Sequence, residues 1–274
     1  MVLWVFGVAG TSDCLKDLPF TTNVNRPRNG VETIPMDNHY VAHFDMLGMS
    51  SLIKSNPDLA WRKLNDLSIA IEERLKGYIE CLITGECIHI NSFIFSDTVI
   101  AFTNSDTEND AKAIVCLTTD FFARSLNLCV PLRGGISYGQ FQFDSNRNLF
   151  AGPALLEAYK LGESSQWIGI SLDKKVAEVV SKLSISKSPQ GKDTVVNWDV
   201  PIKNEKCENL TENRMVLNWP ESHRNNYKLS TKLNVKTFYQ LFSELFGPFE
   251  KLKESDKAKY ENTVSFFNAH YSDS

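Results

Sequence analysis

The 274-residue chain lacks most of the features that would classify it at a glance. It has no Cys-x-x-Cys pair. Cys14, Cys81, Cys87, Cys116, Cys129 and Cys207 stand apart from one another and from any histidine cluster, which argues against a zinc site of ordinary spacing. Cys116 lies in an apolar helical stretch and reads as a buried thiol, and isolated cysteines fit a reducing, cytoplasmic setting. No apolar run approaches the length of a membrane-spanning helix. Met1 to Gly10 is apolar but short, and no basic residue precedes it, so it is poorly built as a signal peptide. No block of Lys and Arg breaks the formal net charge of −4, which argues against a nucleic-acid surface. No Ser-His-Asp or Cys-His arrangement, internal repeat or low-complexity tract is visible.

What is present suits a folded domain. Hydrophobic residues make up 42% and charged residues 23%, enough for a real core and too little charge for wholesale disorder. Residues 11 to 35 are rich in Thr, Asn, Pro and Gly and show no period. They read as a flexible arm, or as an overlong start with Met36 the first residue. The expected organisation is an arm over 1–37, a domain over 38–203 and a C-terminal extension over 204–274 packed on that domain.

From His39 the pattern sharpens. Tyr40 to Asp45 reads as a strand ending in a carboxylate, and Met46 to Ser51 as a turn that opens a helix. Leu59, Leu64, Leu67, Ile71, Leu75, Ile79 and Leu82 recur at helical spacing, which predicts a long amphipathic helix over Pro57 to Ile83, ended by Gly85. Cys87 to Phe95 and Thr98 to Phe102 are β-rich and separated by Ser96-Asp97, a tight hairpin with the aspartate at its tip. A helix follows over Asp106 to Leu126, a glycine-rich strand over Pro131 to Phe143, and a helix from Gly152-Pro153 through Leu161. A short strand is expected over Trp167 to Ser171 and a helix over Leu172 to Leu183. The order β-α-β-β-α-β is the ferredoxin-like α+β arrangement, an antiparallel sheet with flanking helices. Beyond Ser184, Val195 to Val200 and Met215 to Trp219 read as strands, and Leu233 to Phe246 and Asp256 to Tyr271 as helices.

In that topology the first strand is central and lies beside the third, so Asp45 and Asp97 converge at one sheet end. Two carboxylates and a backbone carbonyl near Met46 make a hard-oxygen site for Mg²⁺ or Mn²⁺, and two such ions suit an in-line phosphoryl displacement. Leu47, Gly48 and Met49 lead into a helix whose first N–H groups point outward, a place for an anion. Either aspartate alone is also ordinary turn or strand-end chemistry. His39 and His43 read as satisfied sheet histidines, Tyr159 as a packed interface residue, and Arg133 as a support for the sheet that can also touch phosphate.

Four blocks carry a family resemblance. Phe44-Asp45-Met46-Leu47-Gly48-Met49-Ser50 resembles the first metal motif of class III nucleotidyl cyclases. Phe95 to Phe102 resembles their second aspartate hairpin, with Ser96 in place of the usual Gly. Leu132 to Gly139 is similar to their fourth catalytic strand, and Gly152 to Leu161 to the helix that follows. Ordinary purine cyclases carry an Asn and an Arg on that helix; here the places hold Leu156 and Lys160. The purine-reading Lys and Asp fall at Phe93 and near Leu149. The Ala-Tyr-Lys-Leu helix, the Trp167 strand and Leu217-Asn218-Trp219-Pro220 resemble the bacterial pyrimidine cyclases of the Pycsar antiphage system.

The resemblance implies a homodimer with two Mn²⁺ or Mg²⁺ ions per site, making cUMP or cCMP from UTP or CTP, with a cyclic-nucleotide effector downstream. It assigns Asp45, Asp97 and Lys160 to catalysis and Phe44, Leu47, Gly48, Met49, Phe93 and Arg133 to the substrate. Asp45, Met46 and Asp97 are assigned to the metals. Lys160 either replaces the missing Arg from the partner subunit or is a solvated face. An adenylate or guanylate cyclase, and a degenerate cyclase-like sensor, are the alternatives.

Overall fold

Alternation of apolar residues along Asn38–Met46 (β1) sends Tyr40, Ala42, Phe44 and Met46 to one side of the strand, where all four are buried. The computed structural model describes residues 36–81, 90–144, 146–183, 193–203, 210–220 and 232–270. The expectations for the arm before Met36, for Gly85 as a helix end and for Cys87 to His89 as strand lie outside the described residues.

The remaining strands are Ile90–Phe95 (β2), Thr98–Thr103 (β3), Leu132–Gln140 (β4), Gln142–Asp144 (β5), Leu149–Ala151 (β6), Ile170–Leu172 (β7), Val195–Pro201 (β8) and Thr211–Leu217 (β9). Among the described residues, β1 and six of these strands form one sheet in the order β2-β3-β1-β4-β7-β9-β8. The β2-β3-β1-β4 half is antiparallel throughout, which is the expected ferredoxin-like order. β7 then joins β4 in parallel and β9 antiparallel.

The helices are Met49–Ser55 (α1), Pro57–Cys81 (α2), Glu108–Asn127 (α3), Pro153–Ser164 (α4), Lys174–Lys182 (α5), Val235–Tyr239 (α6), Ser243–Phe246 (α7) and Glu254–His270 (α8). Asn56 divides α1 from α2 and accepts a hydrogen bond from Leu59 N–H, with Pro57 following at the first helical position. Thr107 and Asp110 form a reciprocal capping box that starts α3. Phe121 and Phe122 of α3 fill the core under β1, and Phe44 meets Phe121 edge to face at 5.1 Å. Cys116 of α3 is half-buried where a fully buried thiol was expected.

Two differences from the sequence reading have clear physical causes. The long strand expected over Pro131 to Phe143 stops at Gln140, and the chain then folds into the β5–β6 hairpin. Phe141, Phe143 and Phe150 thereby cover Phe102 in a small second core on the other face of the sheet. The boundary expected at 203/204 falls inside the β8–β9 hairpin. β9 sits between β7 and β8, so the sheet runs across that boundary and the residues after it are part of the sheet. Trp167, Trp219, Phe266 and Phe267 are fully buried together, which ties α8 to the sheet's far half. Among the described residues no helix is long and apolar enough to cross a membrane.

Candidate functional site

The site starts from strand register. Asp45 lies opposite Thr98 of β3 and opposite Arg133 of β4, so it stands near the end of β1 on the face opposite Phe44. Ser96 and Asp97 form the two-residue turn between β2 and β3, and Ser96 takes the left-handed backbone (φ 56°) that a glycine adopts more easily. Met46 N–H donates to the carbonyl of Asp97 at 2.8 Å, which fastens that turn against the end of β1. The two aspartates expected to converge are therefore brought to one sheet end.

Each carboxylate has a defined partner. Ser50 on α1 donates to Asp97 Oδ2 at 2.8 Å. Arg133 donates to Asp45 Oδ2 through Nε at 2.9 Å and lies 2.8 Å from it through Nη2. The same Nη2 reaches Glu163 of α4 at 2.5 Å, and Lys203 holds the other oxygen of Glu163 at 2.5 Å. Arg133 is almost fully buried, so its two carboxylates are what make its burial tolerable. Burial pushes the Glu163 carboxyl upward, but the Lys203 hydrogen bond and the charges of Arg133 and Lys203 outweigh it and leave the group below the ordinary carboxylate range.

His43, two residues before Asp45 on the same face, departs from expectation. It is buried and meets the Tyr159 ring edge-on at 5.3 Å, yet its Nδ1 has no hydrogen-bond partner among the described residues. Desolvation lowers its pKa. The Asp45 charge opposes that effect, Arg133 adds to it and Glu163 opposes it. His39 is satisfied as expected, through the carbonyl of Thr103 at 2.8 Å.

The turn after Asp45 needs correction. The side chains of Phe44 and Met49 are buried on the helix-covered side, so neither can touch a ligand at the carboxylates. Leu47 N–H was expected to point outward; it donates to the carbonyl of Pro131 at 3.0 Å. The N–H groups of Gly48, Met49 and Ser50 have no partner among the described residues. Gly48 has φ 77°, and a Cβ there would lie 2.6 Å from the Phe246 ring, so both backbone conformation and packing demand glycine.

The remaining residues share one face. The Phe93 ring meets that of Phe150 on β6 at 4.8 Å with the planes tilted by 40°, and Leu149, next to Phe150 in the strand, is exposed. Lys160, Leu156 and Tyr159 are exposed on α4. Lys160 has no ion-pair partner among the described residues and is not brought onto Asp45 or Asp97. Ser50, Glu163, Lys203 and Phe150 went unnoticed in the sequence. A signal for Glu163 existed, since an Arg in an apolar strand demands a carboxylate from somewhere.

The donor set fits Mg²⁺ or Mn²⁺ and not a closed protein cage. Among the described residues no group of three or more His, Cys, Asp or Glu side chains is placed to hold an ion. Asp45 and Asp97 each use Oδ2 in the contacts above, leaving Oδ1 of both, with Met46 between them. Mg²⁺ commonly takes one or two carboxylates and completes its shell with water and ligand phosphate.

No protein-family model matches the chain, and no curated protein matches it. Among solved structures the chain is similar to the catalytic core of a rhodopsin-guanylyl cyclase with converted specificity, crystallised with ATPαS. The two are 12% identical, with 66% of this chain and 96% of that one covered and a TM-score of 0.47.

Proposed function

We propose that the chain is a nucleotidyl cyclase of class III type that closes a pyrimidine nucleoside triphosphate into its 3′,5′-cyclic monophosphate. The observation that carries this reading is the pair of aspartates at one end of the β1–β3 ladder, beside a glycine turn whose N–H groups have no partner among the described residues. In the reaction the 3′-oxygen attacks the α-phosphorus, the bond from that phosphorus to the bridging oxygen breaks, pyrophosphate leaves and the hydroxyl proton passes to solvent water. Asp45 and Asp97, with the Met46 backbone, would hold divalent ions, which would supply positive charge to the triphosphate.

The chain's own residues prepare that event. Ser50 and the Met46 N–H fix the Asp97 turn. Arg133 holds Asp45 in place. The rings of Phe93 and Phe150, which meet at 4.8 Å, offer no donor or acceptor to a purine edge. A polar edge buried there without partners costs roughly 1–3 kcal/mol per group, enough to favour a pyrimidine that other groups can read. UTP is preferred over CTP from the resemblance to the antiphage cyclases, which also supplies the proposed role as a second-messenger source for a cyclic-nucleotide effector.

Incubation with an equal mixture of ATP, GTP, CTP and UTP and Mn²⁺, with mass analysis of the products, tests the reading. Predominant cUMP or cCMP is expected, lost in Asp45→Asn and Asp97→Asn with the fold retained. Predominant cAMP or cGMP refutes the pyrimidine assignment. A second reading, a nucleotide sensor without turnover, is favoured by the Arg133 guanidinium already paired with Asp45. It predicts binding of nucleotide with no cyclic product from any of the four.

A further inference from the structure

Between α1 and the segment that runs from α7 into α8 lies a cavity of about 390 Å³. One wall is the Leu47-Gly48 turn and Ser51, directly after the candidate metal carboxylate. The other wall carries Phe246, Lys251, Lys253, Lys259 and one carboxylate, Asp256. The cavity falls in the size range of ligand sites.

The charge on this wall is not balanced internally. Glu250 is paired with Lys236 at 3.1 Å, Glu254 with Lys257 at 2.7 Å, and Asp256 with Lys259 at 2.8 Å. Every acidic side chain from 250 to 256 is thus matched to another lysine. Lys251 and Lys253 are left without a carboxylate partner among the described residues, both on the cavity wall. The chain as a whole carries a formal net charge of −4, so an uncompensated pair of cations is against its general trend. Phe246 packs on Gly48 closely enough that no Cβ fits between them, which seats this wall directly against the turn.

We propose that this cavity binds a polyphosphate, with Lys251 and Lys253 as its cationic side and Ser51 facing them. The chemistry required is a compact chain of phosphoryl groups, either free pyrophosphate or the tail of a nucleoside triphosphate. The anion site itself does not depend on the proposed reaction; its assignment to the nucleotide tail does.

Calorimetric titration of the full chain with sodium pyrophosphate, without divalent metal and at low salt, tests this. Binding is expected, and Lys251→Ala/Lys253→Ala should weaken it by about tenfold or more, as for loss of charge-assisted contacts. Lys112→Ala/Lys182→Ala removes the same charge from α3 and α5 and should bind as the parent does. Absence of binding in the parent, an equal loss in that control, or equal affinity for sulfate overturns the inference. UTP that competes with pyrophosphate identifies the nucleotide's tail as occupant; simultaneous binding identifies a separate polyphosphate. Asp97→Asn should lose turnover and keep metal-free pyrophosphate binding, and loss of binding there places the anion at the carboxylates and overturns the cavity. A chain that makes no cyclic nucleotide but shows lysine-dependent binding counts against the reaction alone.

Discussion

At the scale of single residues, the face that carries Asp45 holds one deliberate ion cluster and one unbalanced group. Asp45, Arg133, Glu163 and Lys203 satisfy one another, while His43 beside them is buried with no partner for Nδ1 among the described residues. The consequence is a pH dependence whose sign follows from the lowered His43 pKa. In the unfolded chain the imidazole takes a proton as pH falls through its ordinary value of 6.5, while the folded chain resists it. The unfolded state then binds more protons, so stability present at pH 7 is lost as pH falls below about 6.5. Glu163 acts in the same direction but later, below its ordinary value of 4.5, because its folded pKa is depressed. Denaturant midpoints at pH 7.5 and 5.5 should therefore differ, and His43→Leu should shrink that difference. The variant should also gain up to about 1 kcal/mol at the lower pH, since it removes a buried unpaired polar atom. An unchanged pH slope in His43→Leu would show that another group controls it. The two aspartates and Arg133 were legible in the sequence because each sits at a break or end of a clear apolar pattern. His43 was not, because strand alternation reports which face a residue takes and not whether a hydrogen-bond partner waits there.

At the scale of elements, the site depends on how closely α4 lies on β4. A Cβ on Gly135 would sit 2.5 Å from Leu161 Cβ and 2.6 Å from the carbonyl oxygen of Ala158, and one on Gly162 would sit 2.9 Å from Gly134 Cα. These glycines let the helix approach until Glu163 reaches Arg133 and Ser137 donates to the Ala154 carbonyl. Gly135→Ala should cost roughly 1–3 kcal/mol by overpacking and should push α4 outward. Because α4 carries Glu163 and Lys160, nucleotide turnover should fall along with the thermal midpoint. A variant with the parent's midpoint and turnover would show that the helix can yield without effect. The sequence made β1 to β4 and α2 to α4 readable through periods of 2 and 3.6 residues. It did not reveal β5 and β6, which are three residues each and too short to show a period, although Gln142-Phe143-Asp144 and Leu149-Phe150-Ala151 flank a polar turn. Nor did it place β9 between β7 and β8, since strand order across a long connection is decided by packing and not by local pattern.

At the scale of the whole molecule, the face bearing the carboxylates also carries exposed apolar side chains. Phe95 is 70% exposed, and Leu156 and Tyr159 of α4 are exposed as well. Strand register puts Phe95 on the side of Asp45, α4 lies on that side through Tyr159 against His43, and β6 lies there through Phe150 against Phe93. Large apolar side chains gathered on one face mark an association surface more often than they occur by accident. A two-fold axis through this face would pair each chain's Lys160, which has no ion-pair partner among the described residues, with the other chain's carboxylate end. The chain should therefore sediment as a homodimer, and Leu156→Asp should yield a folded monomer without turnover. If Lys160 serves the partner's site, Asp45→Asn chains and Lys160→Ala chains, each inactive alone, should regain activity on mixing. In the mixed dimer the Lys160→Ala chain supplies an intact Asp45 and the other supplies an intact lysine, so one composite site is whole. A site built within one chain gives no such rescue, because each chain would keep its own defect. Mixed samples as inactive as their parents, or full turnover by the Leu156→Asp monomer, would place the complete site inside a single chain.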